Sequence, residues 1–220
     1  MNVPAGDLAS YKRCTEGIAA AWPAFQAARA DRLRHGNETE KVAEAIIEDL
    51  FARVLDWDPG DLMYGVDYAD IVVSRNLAKY LVIETKRPGT LWPGRKALHE
   101  AVRQARGYAD RQNIKSVAAS DGRFLYTADI IGGGLVDRLL VDLAAPEPPL
   151  GLWWVSMHGI YRPCEAPAIC VPITSDEPSG ARSATSSETN LLHPKYKLPV
   201  ECFAYVPDAS QPKTWKLPYR

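Results

Sequence analysis

Cysteine is scarce in this chain and scattered along it. Cys14, Cys164, Cys170 and Cys202 are too few and too far apart to form a disulfide framework in 220 residues, which points to a reducing compartment. No apolar run approaches the roughly 18 residues needed to cross a bilayer before it meets a charge or a proline. Asp7, Lys12, Arg13 and Glu16 interrupt the N-terminal stretch ahead of Pro23, so it does not read as a targeting segment, and a cytoplasmic protein is expected. Net charge is almost absent: 26 Lys and Arg stand against 27 Asp and Glu, so contact with nucleic acid must come from a local patch, and no membrane partner is expected. No internal repeat is visible. What remains is the mixture of an ordinary globular protein, 46% hydrophobic and 24% charged, with room for one substantial domain and an appendage.

The segment NETEKVAEAIIEDLFARVLD, residues 37–56, places Ala43, Ile46, Ile47, Leu50, Phe51, Val54 and Leu55 at helical spacing, with acidic residues on the other faces. Asn37, three residues ahead of Glu40, has the form of a capping box, and Pro59 with Gly60 ends the element. Runs rich in β-branched and aromatic residues follow at 62–64, 68–73 and 79–85, and the turn SRNLA makes a hairpin of the last two. Residues 95–113 return to helical character through Leu98, Ala101, Val102, Ala105, Tyr108 and Ala109. Strands at 115–119 and 123–127 then flank Ser120-Asp121-Gly122. The order is helix, three strands, helix, two strands, an α/β pattern. Gly132 to Gly134 and the segment APEPPLG, residues 145–151, read as the end of the regular region. The chain thus divides into a helical lead-in at 1–36, a domain at 37–145 and a Pro/Ser-rich extension at 146–220. In the extension Trp153, Trp154 and Tyr161 suggest a strand packed back on the domain, and residues 175–189 a flexible linker. The aromatic and proline-bearing end lacks a pattern able to bury it. It is expected to dock on this domain, a second copy or a partner, or to begin a further module.

Alternation along strand 79–86 puts Tyr80, Val82, Glu84 and Lys86 on one face. The midpoint of positions 70 and 84 is Leu77, inside the turn, so an antiparallel hairpin centred there sets Asp70 opposite Glu84 with Cβ atoms about 5 Å apart. Two carboxylates that close repel unless a cation lies between them, and the pattern suits Mg²⁺, with Mn²⁺ as a substitute. Lys86, two residues from Glu84, can orient a water or stabilise charge growing on a phosphate.

Asp70 followed by Glu84-Thr85-Lys86 resembles the PD-(D/E)XK nuclease superfamily, with Ala69 where the superfamily's name has proline. With its flanks included, VIETKRPG at 82–89, Gln104 and Tyr108 on the next helix, and ASDGRFLYTAD at 119–129, the chain resembles the N-terminal nuclease domain of the restriction subunit of type I restriction enzymes. The likeness covers about residues 37–130, and no helicase motor follows. It implies a restriction-endonuclease-like mixed sheet flanked by helices, here with an irregular C-terminal extension, and Mg²⁺-dependent endonuclease activity on DNA. It also implies Asp70, Glu84 and Thr85 at the metal, Lys86 as catalytic, Gln104 and Tyr108 near site and substrate, and an assisting acid on the first helix, either Glu40 or Glu44.

Charge is locally lopsided. Between residues 86 and 115, Lys86, Arg87, Arg95, Lys96, Arg103, Arg106, Arg111 and Lys115 oppose only Glu100 and Asp110, eight against two for a net of +6. Arg87, Arg103 and Arg106 are therefore expected at phosphates. Two rival readings stand beside this one: a catalytically silent DNA-binding module on the same fold, and an adaptor acting through its extension, where a homodimer or partner protein would bind. A zinc site from Cys164, Cys170, Cys202 and either His158 or His193 has no finger-like spacing.

Overall fold

The computed structural model describes residues 4–35, 39–66, 68–91, 95–163 and 168–170. Among these residues three α-helices, α1 (Ala9–His35), α2 (Glu40–Arg53) and α3 (Arg95–Gln112), accompany seven strands: β1 (Leu62–Val66), β2 (Ala69–Arg75), β3 (Ala78–Thr85), β4 (Ser116–Ser120), β5 (Phe124–Ile131), β6 (Gly134–Asp142) and β7 (Ala168–Cys170). The strands form one sheet in sequential order. Strands β1, β2 and β3 make an antiparallel meander and β4, β5 and β6 a second one. The two meanders join where β3 runs parallel to β4, with α3 as the crossover that a parallel pair requires. The result is a mixed α/β domain whose sheet is flanked by helices. No helix among the described residues is long and apolar enough to cross a membrane.

Alternation along the strands divides the core in two. Ile71, Val73, Leu81 and Ile83 lie on the face covered by α1, α2 and a 3-10 helix at Leu150–Val155. Val72, Val82, Val117 and Ala119 face α3, whose buried positions Ala101, Val102, Ala105 and Ala109 are mostly small and let the helix lie close to the sheet. Both helices expected from periodicity form, and the five expected strands form within a few residues of their expected bounds. Asn37 lies outside the described residues; Thr39 stands at the N-cap of α2 without a side-chain hydrogen bond.

Structure continues past the expected end at residue 145. Gly132 and Gly133 take φ of 57° and 79° and form the two-residue turn between Ile131 and Gly134, which leads into β6 rather than out of the fold. Trp153 and Trp154 are buried as expected, but in a 3-10 helix and not a strand. Arg138 on β6 secures this segment: it pairs with Asp129 at 2.9 Å and donates to the carbonyls of Trp154 and Arg162. Helix α1 joins the same core through Cys14, Ile18, Trp22 and Phe25. Its polar groups reach the end of β6, where Trp22 Nε1 donates to the Ala145 carbonyl and Gln26 Nε2 to that of Leu143. Residues 175–189 and the end of the chain lie outside the described residues, as do Cys164, Cys202 and His193.

Because α1 covers a sheet face, a chain lacking residues 1–36 is expected to lose its cooperative denaturant transition, and Trp22→Ala to cost about 3–5 kcal/mol. A truncated chain that unfolds with unchanged midpoint and slope would show the lead-in to be separable.

Candidate active site

With both faces of the sheet covered, charged groups gather at the strand ends. Glu84 and Thr85 close β3, Ser120 closes the parallel β4, and the Lys86 N–H donates to the Ser120 carbonyl at 2.8 Å. Ile71 pairs with Ile83 and Val72 with Val82, so one further step along this register sets Asp70 opposite Glu84. The register agrees with the expected one, although not from a turn centred on Leu77. The turn is Asn76-Leu77, with φ of 50° and 66°, and an irregularity between Val73 and Ser74 supplies the missing residue. Tyr80 is the extra residue on β3. It leaves the face expected of it and packs against Trp57, ring centroids 5.9 Å apart, on the α2 side of the sheet.

Asp70 is oriented by Thr85, whose backbone N–H and hydroxyl both donate to Asp70 Oδ2, at 2.7 and 2.9 Å. Glu84 is 2% exposed. Its Oε1 accepts from Lys86 Nζ at 2.6 Å, and its Oε2 has no hydrogen-bond partner at all. Burial pushes the Glu84 carboxyl up to about 7; the Lys86 ammonium pulls against this, while the negative charges of Asp70 and Glu40 add to it. Partial burial opposes the Lys86 ammonium, yet its bond to Glu84 and the charges of Glu84, Glu40 and Asp70 carry its pKa above the ordinary lysine value.

The two candidate acids of α2 separate cleanly. Glu40 Oε1 lies 3.9 Å from Lys86 Nζ, whereas Glu44 is held by Lys41, whose Nζ is 2.9 and 2.6 Å from its two oxygens. Glu40, Lys86, Arg87, Thr90, Ala97, Glu100 and Gln104 line an open cleft of about 240 Å³. Gln104 Nε2 donates to the Tyr108 hydroxyl at 3.2 Å, so the expected pair meets on α3, with Gln104 in the cleft and Tyr108 half-buried against the sheet. Asp121, fully buried in the β4–β5 turn, ties the segment after β3 to the sheet. It accepts the Leu91 N–H through Oδ2 and the Arg123 and Phe124 N–H groups through Oδ1. Gly122 in this turn has φ of 75°, and a Cβ there would come 2.9 Å from Ile46 Cδ1, so α2 seats directly on the turn.

Basic residues are fewer at the cleft than the sequence count suggests. Arg87 and Arg103 are exposed. Arg106 is 7% exposed and bonds the Gly133 carbonyl and Asp110, holding α3 to the β5–β6 turn where a phosphate cannot reach it. Arg111 lies over the Tyr108 ring. Glu100, which lines the cleft, was not among the expected site residues, although its place four residues before Gln104 puts it on the same helical face. His158 pairs with Asp56 at 3.2 Å, away from this site.

Among the described residues no three His, Cys, Asp or Glu side chains form a ready-made metal cluster. A divalent hard cation nevertheless fits what is present, since Mg²⁺ commonly takes only one or two carboxylates and completes its shell with water. A buried carboxylate oxygen without a partner, opposite a second oriented carboxylate, is a donor set of that kind. No family model, curated protein or solved structure matches the chain.

The Glu84 shift has a consequence for stability. Its folded value of about 7 exceeds the ordinary 4.5, so as pH rises the unfolded chain ionises first, and the fold loses stability between those values. Glu84→Gln is therefore expected to raise the melting temperature by several degrees at pH 8 in chelator and to leave it almost unchanged at pH 4. An equal shift at both pH values would assign the effect to something other than the carboxylate.

Proposed function

We propose that this chain hydrolyses phosphodiester bonds in DNA with Mg²⁺, as an endonuclease of the restriction or DNA-defence type on a restriction-endonuclease-like PD-(D/E)XK fold. The observation that carries the reading is the buried, half-partnered Glu84 opposite Asp70, with Lys86 two residues on at the mouth of a cleft. Asp70 and Glu84 would hold the ion, which when bound supplies Lewis-acid polarisation of the phosphate and a more acidic water.

The chain's own residues do the rest. Thr85 fixes Asp70 with two hydrogen bonds and so sets the direction its free oxygen faces. Lys86 provides a permanent positive charge beside the position where a phosphate gains negative charge in the transition state. Arg87 and Gln104 line the cleft, Arg103 stands exposed on the same helix as Gln104, and Tyr108 steadies the Gln104 amide. These groups suit backbone contacts that position a strand without reading its sequence. The silent DNA-binding module retains one observation in its favour: Lys86 is already paired with Glu84.

Incubation with linear, circular and single-stranded DNA, with Mg²⁺, Mn²⁺ or chelator, separates cutting from binding. Asp70→Ala, Glu84→Gln and Lys86→Ala are each expected to lower metal-dependent cleavage by about 100-fold or more while the far-ultraviolet dichroism is unchanged. Unchanged rates in two of the three would sink the assignment. Combining Arg87→Glu with Arg103→Glu is expected to remove most DNA affinity at low salt and to flatten its salt dependence. Salt-independent binding, or none at any salt, would favour the adaptor reading.

A further inference from the structure

We propose that Lys86 is an exchangeable counter-ion, which holds Glu84 in the metal-free protein and passes to Glu40 when a divalent cation takes Glu84. The inference rests on the reading of Asp70 and Glu84 as a metal pair.

Lys86 Nζ already stands between two carboxylates carried by different elements, 2.6 Å from Glu84 Oε1 and 3.9 Å from Glu40 Oε1. Those carboxylates are unlike. The Glu84 side chain is 3% exposed and that of Glu40 51%, with Lys86 between them at 26%. Rotation about the four-carbon lysine stem can carry the ammonium outward, whereas Glu84, packed at the end of a central strand, cannot follow it. Glu84 Oε2 has no partner, so a cation can engage Glu84 on the oxygen Lys86 does not use. Once there, it meets the ammonium across a single carboxyl group, and in a partly buried site that repulsion is poorly screened. The receiver follows from distance: Glu40, at the first turn of α2, already stands 3.9 Å from the ammonium, whereas Glu44 has both oxygens against Lys41.

The exchange gives the buried Glu84 carboxylate a counter-charge whether or not an ion is bound. It also assigns Glu40 to positioning Lys86 rather than to binding the ion.

Mn²⁺ titration calorimetry at pH 8 on the full chain tests this with Lys86→Met, Glu40→Gln and the double variant. Lys86→Met is expected to bind Mn²⁺ about tenfold more tightly than the parent, because nothing has to be displaced. Glu40→Gln is expected to bind several-fold more weakly, and to have no effect once Lys86 is Met. Equal weakening by Glu40→Gln in both backgrounds would make Glu40 a ligand and overturn the exchange, as would an unaltered affinity in Lys86→Met. Lys86→Gln replaces Lys86→Met should the latter not fold. Glu84→Gln separates the two levels of argument: if it binds Mn²⁺ as the parent does, or if no chain binds, the metal pair itself is wrong, whereas loss of binding only there leaves the exchange to be judged on Lys86 and Glu40.

Discussion

The sheet of this protein is apolar on both faces, and that constraint organises everything else. Ile71, Val73, Leu81 and Ile83 require cover on one side, and Val72, Val82, Val117 and Ala119 on the other. Helices α1 and α2 with the 150–155 turn meet the first demand, and α3 the second. Charge cannot be accommodated between these layers without desolvation, so it collects where the layers end. The ends of the parallel strands β3 and β4 are such a place, and α2 and α3 approach it from opposite faces. Glu40 and Gln104 thus reach the same cleft from helices that never share a face of the sheet.

At that boundary the chain keeps a carboxylate that burial opposes. Glu84 remains almost inaccessible with one oxygen unpartnered, and its neighbours divide between Lys86, which favours its charge, and Asp70 and Glu40, which do not. A residue kept for stability alone would be better served by an apolar side chain of similar size. An unsatisfied buried carboxylate is the form a site takes when its remaining partner arrives from solution, and on that ground the proposed nuclease chemistry and the proposed movement of Lys86 share one cause. Thr85 shows the complementary case: by giving both its donors to Asp70 it removes that carboxylate's freedom before any ligand is present.

Local pattern carries far in the middle of the chain. The 3.6-residue spacing of Ala43 to Leu55, the β-branched runs from 62 to 85 and the small apolar face of α3 each state their element without help, because an amphipathic helix hides one face and a continuous β-branched run suits a strand hidden on both. The pairing of Asp70 with Glu84 was legible from spacing as well, but for a reason that needed correction. A bulge beside Ser74 compensates for a turn half a residue away from the expected centre, and in doing so it turns Tyr80 toward Trp57. Bulges arise from cross-strand packing, and a single strand read alone contains no sign of them.

What the sequence determines by itself is therefore the elements and the residue types at the end of β3: a Glu, a Thr and a Lys in consecutive positions, with an Asp at hairpin distance. Tertiary structure alone decides which of the charges are usable. Arg106 and Arg103 are three residues apart on one helix and read alike, yet one is locked beneath the β5–β6 turn and the other faces solvent. Glu40 and Glu44 are one turn apart on α2, and only the first stands beside Lys86, because Lys41 claims the second. Continuation of the core through α1 had no local sign, and for residues 150–155 the aromatic pair Trp153-Trp154 signalled burial but not the 3-10 helix that achieves it, since Trp22 and Trp153 acquire their partners from surfaces more than a hundred residues away in the chain. Burial and pairing are properties of assembled surfaces, and the periodicity of one segment states which face it will hide without stating what will hide it.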